Sequence, residues 1–352
     1  MATIGTRGGE SSAEQRAVSP GDGQLAVQAD GGLRGRRGAA RGGASIAIVS
    51  AATFGTSGTF GTSLLDAGWT PATAVLARVA LAALIVTVPA VLALRGRWGL
   101  LRKSAWTAVA YGLVGVAGCQ VCYFYAISQM PVGVALLIEY TGSILVVAWL
   151  WLRHGQRPRR LTIGGAAGAI AGLALMVVIG APAEAGEAAS GGVSPVGLMW
   201  AALAAVSMAV YFVLSAGPVR PSGEAGDAES LPPIALAWAG MWVGAVALGV
   251  LLSLHALPFG ASASDVTLLR HQVPPIVPIA GIALLSTAVG YSTGIVAARR
   301  LGAKLASFIG MAEILFAVIY AWILLGQLPS ATQFLGGALI LAGVTMVKID
   351  ES

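Results

Sequence analysis

Residues 151–160 read WLRHGQRPRR, and 171 positions later residues 322–331 read WILLGQLPSA. Tryptophan, glycine, glutamine and proline recur in step. The four arginines of the first copy (Arg153, Arg157, Arg159 and Arg160) are replaced by Leu324, Leu328, Ser330 and Ala331. Working outward, the same offset carries residues 104–177 onto 275–348 without a gap. It pairs Leu113 with Leu284, Ala126 with Ala297, Ala135 with Ala306, Ile138 with Ile309, Gly165 with Gly336 and Gly172 with Gly343. Apolar stretches match at alanine and leucine by chance, but not at a G-Q-x-P turn together with a tryptophan and two helix glycines. The chain therefore contains an internal repeat.

The medium follows from composition. Of the 352 residues, 57% are hydrophobic and 10% charged, with mean hydropathy +0.82. A soluble domain has about 25% charged residues. Apolar runs of about 20 residues suit a hydrocarbon core of about 30 Å crossed at 1.5 Å per residue. The predicted spans are 44–65, 71–94, 104–127, 131–152, 161–180, 195–215, 233–254, 275–298, 304–325 and 331–348. Their length favours helices over the roughly ten-residue strands of a membrane barrel. Residues 1–43, rich in Gly, Ser, Ala and Arg, read as a disordered tail without the apolar region of a secretory signal.

Charge orients the spans. With the N-terminus in the cytoplasm, nineteen of the 21 lysines and arginines fall on the inside. Arg270 lies in an outside loop and Arg78 within a span. Five spans per copy put the second copy into the membrane the other way up. The loops agree: the charge-free turn 128–132 aligns with Arg299-Arg300-Leu301-Gly302-Ala303, and the arginine-rich turn of the first copy aligns with a charge-free one. The expected fold is an all-α polytopic membrane protein of ten transmembrane helices in two inverted five-helix repeats. These are 44–180 and 195–348, joined by an external linker 181–194 and followed by a cytoplasmic C-terminus 349–352. Inverted repeats provide a site near the midplane that can open to either side.

The second half, RRLGAKLASFIGMAEILFAVIYAWILLGQLPSATQFLGGALILAGVTMV, and the first-half stretch FYAISQMPVGVALLIEYTGSILVVAWLWL resemble the EamA-type transporters of the drug/metabolite transporter superfamily. The first-half stretch is similar to the subgroup around threonine/homoserine-type amino-acid exporters. The resemblance covers about 45–348 and implies an amino-acid or small-metabolite exporter of the cytoplasmic membrane. It departs from the family at Ser143 and Ile314, where proline is usual in both halves, and at Gln327, where the family often has glutamate. Without those prolines the fourth and ninth spans should run straighter.

Three charged residues lie deep in the spans: Arg78, Glu139 and Glu313. A charge at bilayer depth needs a partner or a wet cavity. Counting rise per residue puts Arg78 about 10 Å and Glu139 about 12 Å below the outer side, level enough to pair. Arg78 could anchor a substrate carboxylate or phosphate with Glu139 as counter-ion or proton site, or the two could form a structural bridge between helices. Glu313 matches the family's glutamate and is a candidate proton carrier or amine ligand. Gln120, Tyr123, Tyr140, Tyr211 and Tyr291 form a second tier, with Gln120 and Tyr291 related by the repeat offset. Gly55, Gly58 and Gly61 in the first span, and Gly164, Gly168 and Gly172 in the fifth, suit close helix packing or hinging. Pro89 and Pro278 are candidate kinks, and Cys119 and Cys122 read as small packing residues.

Other functions fit poorly. The net charge of +6 sits in loops and the tail, with no element arranged to read nucleic acid. No Walker motif occurs. His154, His255 and His271 all fall in predicted loops, which leaves no metal, haem or catalytic constellation in the membrane, and no cofactor is expected. The reading is a secondary transporter exporting small metabolites, with protons as a candidate coupling ion. An uptake carrier, an intramembrane enzyme or a structural membrane subunit are the alternatives.

Overall fold

A computed structural model describes residues 42–130, 132–175, 194–217, 231–269, 271–325 and 330–351. Most of the tail, most of the 181–194 linker, Arg220, Arg270 and the Gly326–Pro329 turn lie outside them. The described chain is helical apart from one small hairpin. Its helices are α1 (42–54), α2 (Ser57–Asp66), α3 (Pro71–Leu94), α4 (Trp98–Lys103), α5 (Ala105–Ile127), α6 (Val132–Glu139) and α7 (Gly142–His154). They continue as α8 (Arg160–Ala174), α9 (Pro195–Ala216), α10 (Pro233–Ser253), α11 (Ile276–Gly310), α12 (Ala312–Leu325) and α13 (Ala331–Glu351). Among the described residues, seven helices are long and apolar enough to cross a membrane. Several begin with proline at the first helical position (α3, α9 and α10), where the missing N–H costs nothing.

The repeat is visible in local backbone geometry. π-Helical turns occur at Tyr111–Gly118 and Ile282–Val289, two segments related by the 171-residue offset. In the second, the Thr287 hydroxyl donates to the Ile282 carbonyl five residues back, at 3.0 Å, the spacing of the π turn itself. The halves pack through helices of both copies: α3 on α10, α5 on α9 and α10, and α8 on α13. Because lipid tails are as apolar as leucine, close backbone approach rather than hydrophobicity holds such pairs together. A methyl built on Gly172 would lie 2.5 Å from the Gly336 carbonyl oxygen, and one on Gly165 would lie 2.6 Å from that of Gly343. These two contacts exchange under the repeat offset.

Several expectations are corrected. The helices are interrupted at the two missing prolines even though proline is absent. Thr141 and Ser143 donate to carbonyls three residues back (3.1 Å each), as do Met311 and Ile314 (3.2 Å each), so a tight turn separates α6 from α7 and α11 from α12. Gly142, whose added methyl would meet the Ala205 carbonyl oxygen at 2.4 Å, brings the start of α7 against α9. Pro278 falls in the first turn of α11, where its lack of N–H breaks no bond, so it is no kink; α11 is instead two helical stretches that meet at a kink at Gly302, whose φ 80°, ψ 160° is not helical. Pro89 does lie inside α3. In the fifth predicted span, Gly168 has nothing within 4 Å of an added methyl and Gly164 meets Met346 alone, at 3.2 Å, so the close face is Gly165 and Gly172. In the first span, a methyl built on Gly55 would lie 2.9 Å from the Glu313 carbonyl oxygen and one on Gly61 would lie 2.9 Å from the Phe124 ring, while the carbonyl of half-buried Gly58 accepts the Thr62 hydroxyl.

His154 ends α7 rather than lying in a loop, and His271 starts a strand. Strands β1 (Val266–Leu268) and β2 (His271–Val273) form an antiparallel hairpin with Val266 buried. The preceding segment caps α3: Thr70 N–H and Oγ1–H donate to the Gly260 and Pro258 carbonyls, and Trp69 Nε1–H to that of Ser262.

Candidate functional site

A cavity with about 750 Å3 of atom-free space, partly open, lies where α1, α5, α6, α9, α11 and α12 meet. Both repeats contribute to it. Of the eight residues singled out as binding or coupling candidates, seven line it: Gln120, Tyr123, Glu139, Tyr140, Tyr211, Tyr291 and Glu313. They are far apart in sequence but share one wall because the repeats face each other. Gln120 Nε2–H donates to the Tyr291 hydroxyl at 2.8 Å, so these repeat-related residues meet across the interface of the two halves.

Arg78 is the exception. It is fully buried behind the cavity wall, and the expected pairing with Glu139 is absent among the described residues. Its Nε–H donates to Thr287 Oγ1 (2.9 Å), Nη1 to Ser57 Oγ (3.0 Å) and Gln120 Oε1 (2.8 Å), and Nη2 to Ser286 Oγ (2.9 Å). The guanidinium carbon also lies 5.7 Å from the Phe124 ring centroid. Four of the five guanidinium N–H groups are thus engaged by neutral acceptors from both repeats. Equal depth along two helices did not make a pair, because Gln120, Ser57 and the Ser286-Thr287 step lie closer to the guanidinium.

The carboxylates find other donors. Glu313 opens α12, where exposed helix N–H groups favour negative charge, and accepts the Tyr140 hydroxyl at 2.5 Å. That hydroxyl also contacts the Gly310 carbonyl at 3.0 Å. Glu139 Oε1 accepts the Cys119 thiol at 3.3 Å. Cys119 is therefore a polar lining residue as well as a packing one; Cys122 is buried and free.

Aromatic rings close the rest of the wall. Tyr211 packs edge-on against Phe212 (centroids 4.8 Å apart) and Tyr291 (5.4 Å), and Phe54 packs edge-on against Tyr291 (5.1 Å). Among the described residues, the Tyr211 hydroxyl finds no hydrogen-bond partner of ordinary geometry despite neighbouring Ser215. Ser50, Phe54, Ser57, Met208 and Phe212 were not singled out from the sequence, nor were Ser286 and Thr287 behind the wall. Small hydroxyls and single phenylalanines within apolar runs carry no pattern. The one available signal was the polar step Ser286-Thr287 inside a span that the repeat already pairs with Gln120.

Comparison with known proteins agrees with this architecture. The chain is 23% identical over 250 residues to the uncharacterized inner membrane transporter YicL of Salmonella typhimurium, covering 71% of this chain and 75% of that protein. A solved structure described only as "Crystal structure of protein" superposes with a TM-score of 0.66 at 22% identity, covering 88% of this chain and 97% of that one. A profile of the EamA-like transporter family matches residues 41–178 and 195–349, two copies that together take in nearly all of the described chain, and the protein belongs to that family of multi-pass membrane transporters.

Proposed function

We propose that the protein is a secondary transporter that exports small metabolites by alternating access, with ten membrane crossings arranged as two inverted five-helix repeats and both termini in the cytoplasm. The observation that carries this reading is a cavity walled by both repeats and holding two carboxylates within the predicted spans, where lipid would otherwise surround them. Amino acids or related small metabolites are the class that the family resemblance implies. The lining carboxylates suit their ammonium group, while the arginine expected to hold their carboxylate is turned away behind the wall. Glu139 and Glu313 are the groups placed to exchange a proton for a substrate.

Purified protein in liposomes, screened with labelled amino acids and amines in counterflow, should give saturable flux that responds to a proton gradient. Glu139→Gln and Glu313→Gln should each lower that flux at least tenfold at equal protein levels. Flux that keeps its proton dependence in both variants would remove the coupling role, and no flux of any solute would remove the carrier.

The inverted arrangement has its own test. Cysteines introduced at Gly155 and Gly326, the paired turn glycines, should be labelled by an impermeant maleimide from opposite faces of oriented vesicles. Labelling of both from one face rules out opposed repeats.

A further inference from the structure

The cavity carries a charge pattern that the carrier reading leaves open. Its wall presents Glu139 and Glu313 and, among the described residues, no lysine, arginine or histidine. Arg78, one layer behind, has four N–H groups committed to Ser57, Gln120, Ser286 and Thr287 and no exposed surface. An entering carboxylate would therefore find two like charges and hydroxyl groups, without a cation to meet it. An entering ammonium would find two carboxylates in a setting where burial strengthens attraction. Around them stand the rings of Phe54, Tyr123, Tyr140, Tyr211, Phe212 and Tyr291, with Met208 beside them. Aromatic walls with nearby carboxylates are how proteins hold organic ammonium ions, through cation–π attraction and apolar contact with the carbon body.

We infer that this cavity is a binding site for a monovalent organic cation, an amine with a flat or aromatic body and no carboxylate of its own. The inference rests on the proposed carrier function and narrows its substrate. The Arg78 guanidinium behind the wall offsets one carboxylate and a bound cation offsets the other, so the filled site is neutral with both acids ionised, and a proton on one acid takes the cation's place in the empty cavity. Cys119 and Tyr140, each donating to one carboxylate, hold the pair oriented while the second oxygen of each remains for the ligand.

Three compounds that share a phenyl ring separate the possibilities: phenethylamine carries only the ammonium, phenylalanine both charges, and 3-phenylpropionate only the carboxylate. Calorimetric titration of the unaltered, detergent-purified chain at neutral pH should show phenethylamine binding at least tenfold tighter than phenylalanine, with 3-phenylpropionate weakest. Glu139→Gln combined with Glu313→Gln should weaken phenethylamine binding at least tenfold. The ranking uses unaltered protein, so a variant that fails to fold leaves the test standing. Equal or tighter binding of phenylalanine or 3-phenylpropionate, or no heat from phenethylamine at millimolar concentration, overturns the inference. Amine binding without flux in liposomes would keep the site and end the carrier reading; flux of other solutes without amine binding would do the reverse.

Discussion

Replacing Arg78 with alanine is expected to unfold the protein more than it weakens any ligand. The side chain is fully buried, and its removal strips donors from Ser57, Gln120, Ser286 and Thr287 at once. Each orphaned buried acceptor costs about 1–3 kcal/mol, and the void left by a large side chain adds to that, although hydroxyl rotation recovers part. One term opposes this. Holding an arginine at bilayer depth costs about 2.5–3.5 kcal/mol, and alanine avoids it. That cost is borne by the inserted but unpacked chain as well, so its removal favours neither state strongly. The net loss should be about 3 kcal/mol, or about 4 °C in melting temperature, given an unfolding entropy of roughly 2.1 cal/mol/K per residue over 352 residues. Arg78→Lys should recover only part of it, because an ammonium cannot reach acceptors spread along a planar fork. A thermal melt in detergent checks both. An unchanged melting temperature, with anionic ligands alone losing affinity, would return Arg78 to the role of substrate anchor.

The case of Arg78 shows where a linear sequence stops being informative. Its depth was legible, as was its need for compensation, because rise per residue and the cost of a charge in lipid are properties of one helix. Its partners were not, since they depend on how α3 rotates against α2, α5 and α11. Rotation is set by close contacts of glycine and by the π turns at Tyr111–Gly118 and Ile282–Val289. Neither π turn has a residue signature that separates it from an ordinary apolar helix. Glu139, Tyr140 and Glu313 were legible for the opposite reason: a polar residue within an apolar run has little to do except face the protein interior, and the interior here is the seam between repeats. Gln120 and Tyr291 were more specific still, because the repeat offset makes them symmetry partners and a two-fold relation brings partners near its axis together.

The repeat was equally informative about packing, but only after the face was known. Gly164, Gly168 and Gly172 follow the four-residue spacing expected of a close helix contact, yet that spacing drifts around the helix. The surface that meets α13 carries Gly165 and Gly172, seven apart, and both are repeat identities, matching Gly336 and Gly343. Identity across the repeat therefore marked the contact better than spacing within one helix. Two glycines that stay glycine in both copies are meeting the same steric demand twice.

That demand gives the other large expected effect. In Gly172→Val, the new β-carbon would stand 2.5 Å from the Gly336 carbonyl oxygen, 2.7 Å from Leu339 Cβ and 2.8 Å from the Ile340 nitrogen. Two of these atoms are backbone, so neither can swing aside as a long side chain would, and α8 and α13 must separate. Overpacking of this kind costs about 1–3 kcal/mol, and separation also forfeits the van der Waals contact along the α8–α13 seam. The outcome should be a lower melting temperature and a smaller monodisperse fraction on gel filtration. Gly168→Val, one turn away on the same helix, meets nothing within 4 Å and should leave both measurements near those of the unaltered chain. Gly168→Ala should match or slightly exceed it, since alanine favours a helix over glycine by about 1 kcal/mol. If Gly168→Val proves as damaging as Gly172→Val, the damage belongs to helix propensity and not to the seam, and the contact that exchanges Gly172–Gly336 with Gly165–Gly343 is not what holds the repeats together.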